Sequence, residues 1–295
     1  MSDKKVVIAL GYFDSVHKGH RLVLDTAKHC ARKHGASFVV FTFDGNVKSF
    51  FSNQEDKSIY TCDERLKIFN DLGVDEVFFA PITTEFLSLS KREFLDFLSE
   101  KYNVVAYVSG IDYTFGKYGS GNVSYLKEYA DEHGQEYLVV NTIKSGDDKV
   151  STTLIKQLLS DGKIKNANQL LVRHYSVTGK VCRDRSVGKK LGFPTINLRI
   201  DKHKYNILDG VYKGHVFIDK VKYNAIINYG ARPTFDLQEK LVEAHILDFN
   251  GDLYEKEITI FFDNFMRKIQ KFTCSEQLQK QLSLDLLNVA GGMYD

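Results

Sequence analysis

Strand-length apolar runs alternate with helix-length amphipathic segments up to Gly162, and beyond that glycine the helical signal fades. This change of rhythm constrains what the chain can fold into more than any other feature. In the first half, residues 6–10, 38–43, 76–80, 104–109 and 137–140 read as strands, and residues 18–34, 63–72, 91–101 and 123–133 read as helices. Strand and helix alternating at this spacing build a parallel sheet covered on both faces. Ligands of such sheets sit beyond the carboxyl ends of the strands. In the second half, residues 174–181, 210–218, 221–228, 241–249 and 257–262 are short alternating runs, parted by turn residues such as Asp209-Gly210 and Asn250-Gly251-Asp252. They predict an antiparallel barrel or sandwich. A last helix over 275–287 sets Leu278, Leu282 and Leu286 four apart, on one face that packs against it. At 295 residues the chain suits two cores rather than one. The boundary is expected near Lys165, giving domains 1–165 and 166–295.

Charge narrows the partners. With 40 basic and 38 acidic residues the formal net charge is +2, and no long run of Lys or Arg occurs. Nothing here supplies the electrostatic attraction that nucleic acid or an anionic membrane requires, so small molecules are the expected partners. The chain is expected to be a monomer or a weak homo-oligomer. Cys30, Cys62, Cys182 and Cys274 are far apart and form no CxxC pair, which argues against structural zinc and for reduced, packed thiols. With no signal-peptide core and no apolar stretch approaching ~20 residues, a cytoplasmic location is expected.

The most specific local signal is Gly11-Tyr12-Phe13-Asp14-Ser15-Val16-His17-Lys18-Gly19-His20, directly after the first strand. Gly11 permits a tight turn at the strand end. A helix then begins, and its free backbone N–H groups make an anion site at the carboxyl edge of the sheet. His17 and His20, three apart, share one helical face. Two imidazole donors there can hold phosphates and stabilise charge that develops on them, and Gly19 leaves room for the phosphates to approach. A surface histidine pair is a second meaning of the spacing. Zinc is a third, although no further ligand of the right kind is evident nearby.

The other strong block is Gly188-Lys189-Lys190-Leu191-Gly192-Phe193-Pro194-Thr195-Ile196-Asn197-Leu198. Its glycines let a loop fold over phosphates, which backbone N–H groups can bind. Thr195 and Asn197 flank one apolar residue, so an extended chain turns both to one face. Neutral oxygens of this kind suit Mg²⁺ bridged to ATP phosphates. The same residues would equally form a polar turn beside a barrel strand.

The first block resembles the HxGH nucleotidylyltransferase superfamily, which moves an AMP or CMP group onto a phosphate. Two further blocks, Gly110-Ile111-Asp112-Tyr113-Thr114-Phe115-Gly116 and Val150-Ser151-Thr152-Thr153-Leu154-Ile155-Lys156, make the half similar to the bacterial bifunctional riboflavin kinase/FAD synthetase family. The second half is similar to the kinase part of that family. It carries Gly192 to Asn197, then Asp209-Gly210-Val211-Tyr212, Asn228-Tyr229-Gly230-Ala231-Arg232-Pro233-Thr234-Phe235 and Val242-Glu243-Ala244-His245, followed by Arg267 and Lys271-Phe272. The similarity runs from Val6 to about Asp285.

The resemblance implies a Rossmann-like adenylyltransferase domain followed by a six-stranded antiparallel riboflavin-kinase barrel with a terminal helix. It implies riboflavin and ATP giving FMN, then FMN and ATP giving FAD and pyrophosphate. His17 and His20 would be catalytic in the first domain. Gly11, Phe13, Asp14, Asp112, Ser151, Thr152 and Lys156 would bind nucleotide and flavin there. In the second domain Glu243 would be the general base for the ribityl hydroxyl, and Thr195 and Asn197 would meet Mg²⁺. Gly188, Lys189, Gly192, Pro194, Gly210, Tyr212, Asn228 and Arg267 would bind nucleotide and flavin, with His245 structural.

Four departures stand out. The family's Pro-His-Pro after the second strand is here Asp44-Gly45-Asn46-Val47, and Lys156 stands where the family has Arg. The loop 183–187 has fewer glycines than usual, and Val172 replaces a glycine. Two alternatives remain: a kinase whose first domain transfers adenylyl weakly or not at all, and a flavin- or nucleotide-binding regulator without turnover.

Overall fold

The computed structural model describes residues 4–52, 57–182, 193–231 and 240–290, and the chain divides into two compact units, Met1–Leu154 and Ile155–Asp295. In the first, β1 (Lys5–Leu10), β2 (Ser37–Phe43), β3 (Glu76–Ala80), β4 (Asn103–Gly110) and β5 (Glu136–Val140) make one parallel sheet in the order β3-β2-β1-β4-β5. β1 and β2 are buried along almost their whole length, which is why they read as unbroken apolar runs.

The helices of this unit are α1 (Lys18–His34), α2 (Val47–Ser52), α3 (Cys62–Asp71), α4 (Thr84–Leu87), α5 (Lys91–Lys101) and α6 (Val123–Glu132). Their starts are written locally. Thr61 with Glu64, and Ser90 with Glu93, close capping boxes at α3 and α5, and Asn122 caps α6. α1 buries Val23, Leu24, Ala27, Cys30 and Ala31, one face at spacings of three and four, and stops at Gly35 with φ 58°. Truncating the buried Leu24 to alanine would cost about 2–5 kcal/mol.

The chain runs outward through β1, β2 and β3, then crosses back to add β4 and β5. Strand order therefore reverses between β1 and β4, and the loops leaving their carboxyl ends diverge around a crevice. Leu10 pairs with Ser109 at that edge, so the histidine block and the Asp112 block emerge side by side.

After the two-residue strands β6 (Lys144–Ser145) and β7 (Asp148–Lys149) of the first unit, α7 (Thr152–Ser160) runs from the first unit into the second, where α8 (Ile164–Leu170) precedes six strands: β8 (Ser176–Cys182), β9 (Ile196–Arg199), β10 (Gly210–Ile218), β11 (Val221–Ala231), β12 (Lys240–Ile246) and β13 (Glu257–Arg267). The six close as β10-β11-β12-β9-β8-β13, every pair antiparallel. On α8, Asn168 donates to the Phe262 carbonyl and accepts from the Tyr175 amide, each at 2.8 Å, so the helix that contains Lys165 is tied to the barrel.

Aromatic rings fill the barrel interior: Phe262 meets Tyr175, Tyr212 and Tyr229 edge-on at 5.6, 5.3 and 6.0 Å. The segment 205–208 takes all three hydroxyls. Tyr175 donates to the Tyr205 carbonyl at 2.9 Å, Tyr212 to the Leu208 carbonyl, and Tyr229 to Asn206 Oδ1 at 3.1 Å. The Ile207 amide in turn donates to the Tyr229 hydroxyl at 3.3 Å. The terminal helix α9 (Ser275–Ala290) packs Leu286 and Val289 near Val211 and Ile226, and its buried Asp285 holds Arg267 through Nε at 3.0 Å and Nη2 at 2.7 Å. No helix among the described residues is long and apolar enough to cross a membrane.

Candidate active sites

The loop between β1 and α1 is held under strain. Phe13 and Val16 adopt φ of 48° and 39°, a backbone region that side chains with a Cβ avoid and that costs of order 1–3 kcal/mol each. Gly11 is required by close approach, since a Cβ there would lie 2.6 Å from the Phe13 ring. Phe13 is buried and sets its ring edge-on to His20 at 5.2 Å and to Phe69 at 6.0 Å. Asp14, also buried, accepts the Ile59 amide at 2.8 Å. Ser15 shares a hydrogen bond of 2.9 Å with Thr152 at the start of α7.

His17 is the N-cap of α1, and its Nδ1 accepts the His20 amide at 3.1 Å. An accepting Nδ1 puts the proton of the neutral ring on Nε2. The two imidazoles stack at 3.7 Å and 12°. Burial, reinforced by the Lys149 ammonium, lowers His17 to about 4. Burial and then the His17 charge hold His20 well below its ordinary value. At neutral pH both rings are therefore uncharged, and each offers one N–H. Gly19 serves the pair differently from the sequence expectation. A Cβ there would lie 3.0 Å from His17 Cε1, so the missing side chain makes room for the imidazole itself.

Two cations complete this edge, and sequence patterns named neither. Lys149, at the end of β7 and directly before the Val150-Ser151-Thr152 block, forms an ion pair with Asp112. Its charge is felt at His17. Arg65, only 1% exposed, donates through Nη1 to the Tyr12 carbonyl (3.2 Å) and Thr42 Oγ1 (3.0 Å), and through Nη2 to the Phe43 carbonyl (2.8 Å). It ties the ends of β1 and β2 together from α3. The segment that replaces Pro-His-Pro is anchored too. The Asp44 amide donates to the Ala80 carbonyl at 3.0 Å, Asp44 Oδ1 accepts the Ile82 amide at 3.1 Å, and the Tyr12 hydroxyl donates to the Gly45 carbonyl at 2.7 Å. Ser151 caps α7 by accepting the Leu154 amide at 3.3 Å. Lys156 falls in the second unit, with Nζ 5.2 Å above the Tyr205 ring.

On the barrel, register builds the second site. Asn197 on β9 pairs with Glu243 on β12, and Glu243 with Asn228 on β11. Directly opposed residues share a face. Val242, Ala244 and Ile246 fill the interior, so the polar row Asn197, Glu243, Asn228 is on the outward side of the barrel, with Asn228 exposed, Glu243 half-buried and Asn197 covered. Thr195 Oγ1 donates to Glu243 Oε1 at 2.8 Å. His245 Nδ1 lies 2.8 Å from the Pro194 carbonyl, and its ring meets Phe193 edge-on at 5.6 Å. Gly210 opens β10 where a Cβ would lie 2.4 Å from the Phe265 ring. Tyr212 is an interior residue, whereas the Arg267 guanidinium is engaged by Asp285. Gly188, Lys189 and Gly192, together with residues 183–187 and 232–235, lie outside the described residues.

A parallel sheet with a phosphate-ready helix start at its switch point, joined to a closed barrel with a carboxylate and neutral oxygens on its face, defines a two-domain nucleotide-dependent transferase. The FAD synthetase family pattern matches residues 1–154, and the riboflavin kinase pattern matches residues 171–291. The chain belongs to the bifunctional riboflavin kinase/FMN adenylyltransferase family. It is 33% identical to the protein of that name from Listeria monocytogenes over 96% of this chain and 91% of that one. With the Bacillus subtilis protein identity is 30% over 95% and 90%. A crystal structure described as a macrolide-efflux protein from Streptococcus pneumoniae superposes with a TM-score of 0.88 at 32% identity, covering 98% of this chain and 95% of that one.

Proposed function

We propose that this chain makes FMN from riboflavin on residues 166–295 and FAD from FMN on residues 1–165, with ATP as the donor in both steps. The observation that carries the proposal is that one chain holds both a stacked, uncharged His17–His20 pair at a helix start and a Thr195–Glu243 pair on a barrel face. Both arrangements serve transfer to or from phosphate. The efflux activity in the description of the Streptococcus structure stays with that protein.

In the kinase step Glu243 takes the proton of the ribityl hydroxyl as that oxygen attacks the γ-phosphorus of ATP and ADP leaves. Thr195 and Asn197 are the residues to hold Mg²⁺. A hydroxyl that gives its hydrogen to a carboxylate turns its lone pairs outward, and hard neutral oxygens suit this ion. When bound, the ion neutralises charge on the ATP phosphates.

In adenylyl transfer an FMN phosphate oxygen attacks the α-phosphorus of ATP, and pyrophosphate leaves. His17, through its Nε2 proton, and His20 donate to the charge that develops there. The α7 start with Ser151 and Thr152, together with Lys149, attracts the nucleotide phosphates. Asp112 positions Lys149. The anchored Asp44-Gly45 turn takes the place of Pro-His-Pro beside the flavin. The whole sequence is work on small molecules in the cytoplasm.

The test is to incubate the purified protein with riboflavin, ATP and Mg²⁺ and to resolve the flavins by chromatography. FMN followed by FAD is expected. FMN that never becomes FAD, even at saturating FMN and ATP, would leave a kinase alone, and no turnover of either flavin would leave a regulator.

A further inference from the structure

At the opposite edge of the sheet from the histidine pair, Cys30 and His34 stand one turn apart on the last turns of α1, facing Glu136 at the start of β5. The thiol sulfur, a ring nitrogen and a carboxylate oxygen all lie within 4.8 Å of one another. His34 Nε2 and Glu136 Oε2 are already 2.8 Å apart. We infer that Cys30, His34 and Glu136 form a three-ligand site for Zn²⁺ or a similar borderline cation, with water as the fourth ligand.

The ligand set is selective. Sulfur, imidazole and carboxylate together suit zinc rather than the magnesium of the kinase step, which takes oxygen ligands. Zinc lies ~2.0–2.3 Å from such donors in a tetrahedron, which puts the donors roughly 3.5 Å from one another. Side-chain rotations of about an ångström reach that arrangement from the positions observed. Cys30 is buried, but the His34 and Glu136 side chains are 29% and 31% exposed, so a cation and its water have access from solvent.

Charge also fits. Thiolate and carboxylate neutralise a dication, and the carbonyl end of α1 adds its own negative potential. Binding of the cation displaces the Cys30 proton to solvent. The competing cation is Lys33, 3.1 Å from Glu136 Oε2 on a side chain 61% exposed, which can swing into water at little cost. Helix α1 is 17 residues long, about 25 Å at ~1.5 Å per residue, so a metal at its carboxyl end is remote from His17 at its start. Its work would be mechanical: clamping α1 to the edge strand β5.

The test titrates the full-length, chelator-treated protein with Co²⁺ as a spectroscopic stand-in, then with Zn²⁺. Wild type is expected to bind about one cobalt per chain, with a thiolate-to-cobalt charge-transfer band and tetrahedral ligand-field bands, and zinc should erase both. Cys30→Ser should lose the charge-transfer band, and His34→Gln and Glu136→Gln should each weaken cobalt binding by ~10-fold or more. Lys33→Met should bind at least as tightly as wild type. Circular dichroism checks each variant for folding. Should Cys30→Ser fail to fold, the two partly exposed positions decide. No charge-transfer band in wild type, the same band in folded Cys30→Ser, or unchanged affinity in both His34→Gln and Glu136→Gln would overturn the site.

Discussion

Thr195 donates its hydroxyl to Glu243 Oε1 across 2.8 Å, which joins a residue read from one sequence block to a residue read from another, 48 positions later. The bond orients the carboxylate and leaves the threonine lone pairs for a cation. Thr195→Ala should therefore raise the Mg²⁺ concentration needed for half-maximal FMN formation and leave FAD formation from supplied FMN unchanged. Equal loss in both reactions would instead indicate unfolding.

Glu243→Gln keeps the side-chain volume and can still accept a hydrogen bond from Thr195, but it cannot take a proton. FMN formation should fall by ~10²–10⁴-fold, the usual contribution of a positioned base. Adenylyl transfer to supplied FMN should persist. A near-normal kinase rate in this variant would remove Glu243 from the mechanism.

His17 both caps α1 and faces the phosphates, so the substitution has to separate the two roles. Asparagine is a good N-cap and lacks the imidazole. His17→Asn should fold normally yet lose FAD formation by on the order of 10²-fold or more, as when other transition-state donors are removed. His20→Asn should do the same, and both variants should phosphorylate riboflavin at the wild-type rate. Retained FAD synthesis in both would mean that backbone N–H groups alone carry the step.

The ligand-free protein should lose stability in acid through the same pair. His17 titrates at about 4 when folded against 6.5 when unfolded. As pH falls through 6.5 the unfolded chain takes up a proton that the folded site refuses, so stability present above pH 6.5 is lost progressively down to pH 4. The gap corresponds to roughly 3 kcal/mol, and His20 shifts in the same direction. Urea unfolding at pH 7, 5.5 and 4.5 measures the slope, which His17→Asn should flatten. Identical slopes would show that the ring is not held neutral.

Arg65→Met should destabilise the first unit by about 2 kcal/mol or more, because it strands the buried oxygens of Tyr12, Thr42 and Phe43. Arg65→Lys keeps the charge but loses the fork and should recover only part. Among folded molecules the KM for FMN should rise more than kcat falls, because the lost anchors hold the Asp44 side of the crevice. An unchanged KM with reduced stability would confine Arg65 to packing.

Both architectures were legible because burial writes period and length into the chain. The unbroken run at 38–43 is a strand covered on both faces, and the alternation at 241–246 is one face of a barrel. Less legible parts have physical causes. β13 continues to Arg267, beyond the alternating run, because register shifts opposite Tyr212 and Gly214 leave Met266 and Asp263 without direct partners. β12 stops at Ile246, short of the apolar residues that follow, because Asp248 turns the chain with φ 58°. α8 hides after Gly162 behind Lys, Asn and Gln, yet buries Ile164, Ala167, Asn168 and Leu170.

The sites divide in the same way. His17 and His20 lie three apart at one helix start and are visible as a motif. Lys149 and Arg65 act through folding that brings distant segments together, and only their neighbours in space mark them. The Cys30, His34, Glu136 cluster leaves no paired-cysteine signature in the sequence, because one of its ligands comes from a strand more than a hundred residues away.

The segment 205–208, fastened to Tyr175, Tyr212 and Tyr229, has a consequence for how the barrel comes apart. Its three partners stand beside β8, on β10 and on β11, so no two neighbouring strands can hold it alone. The Ile207 amide, bonded to a hydroxyl inside the barrel rather than to a ladder, is exposed only when strands from separate parts of the sheet have parted. Its exchange with deuterated solvent thus times the global opening of the barrel, although the residue belongs to none of the strands.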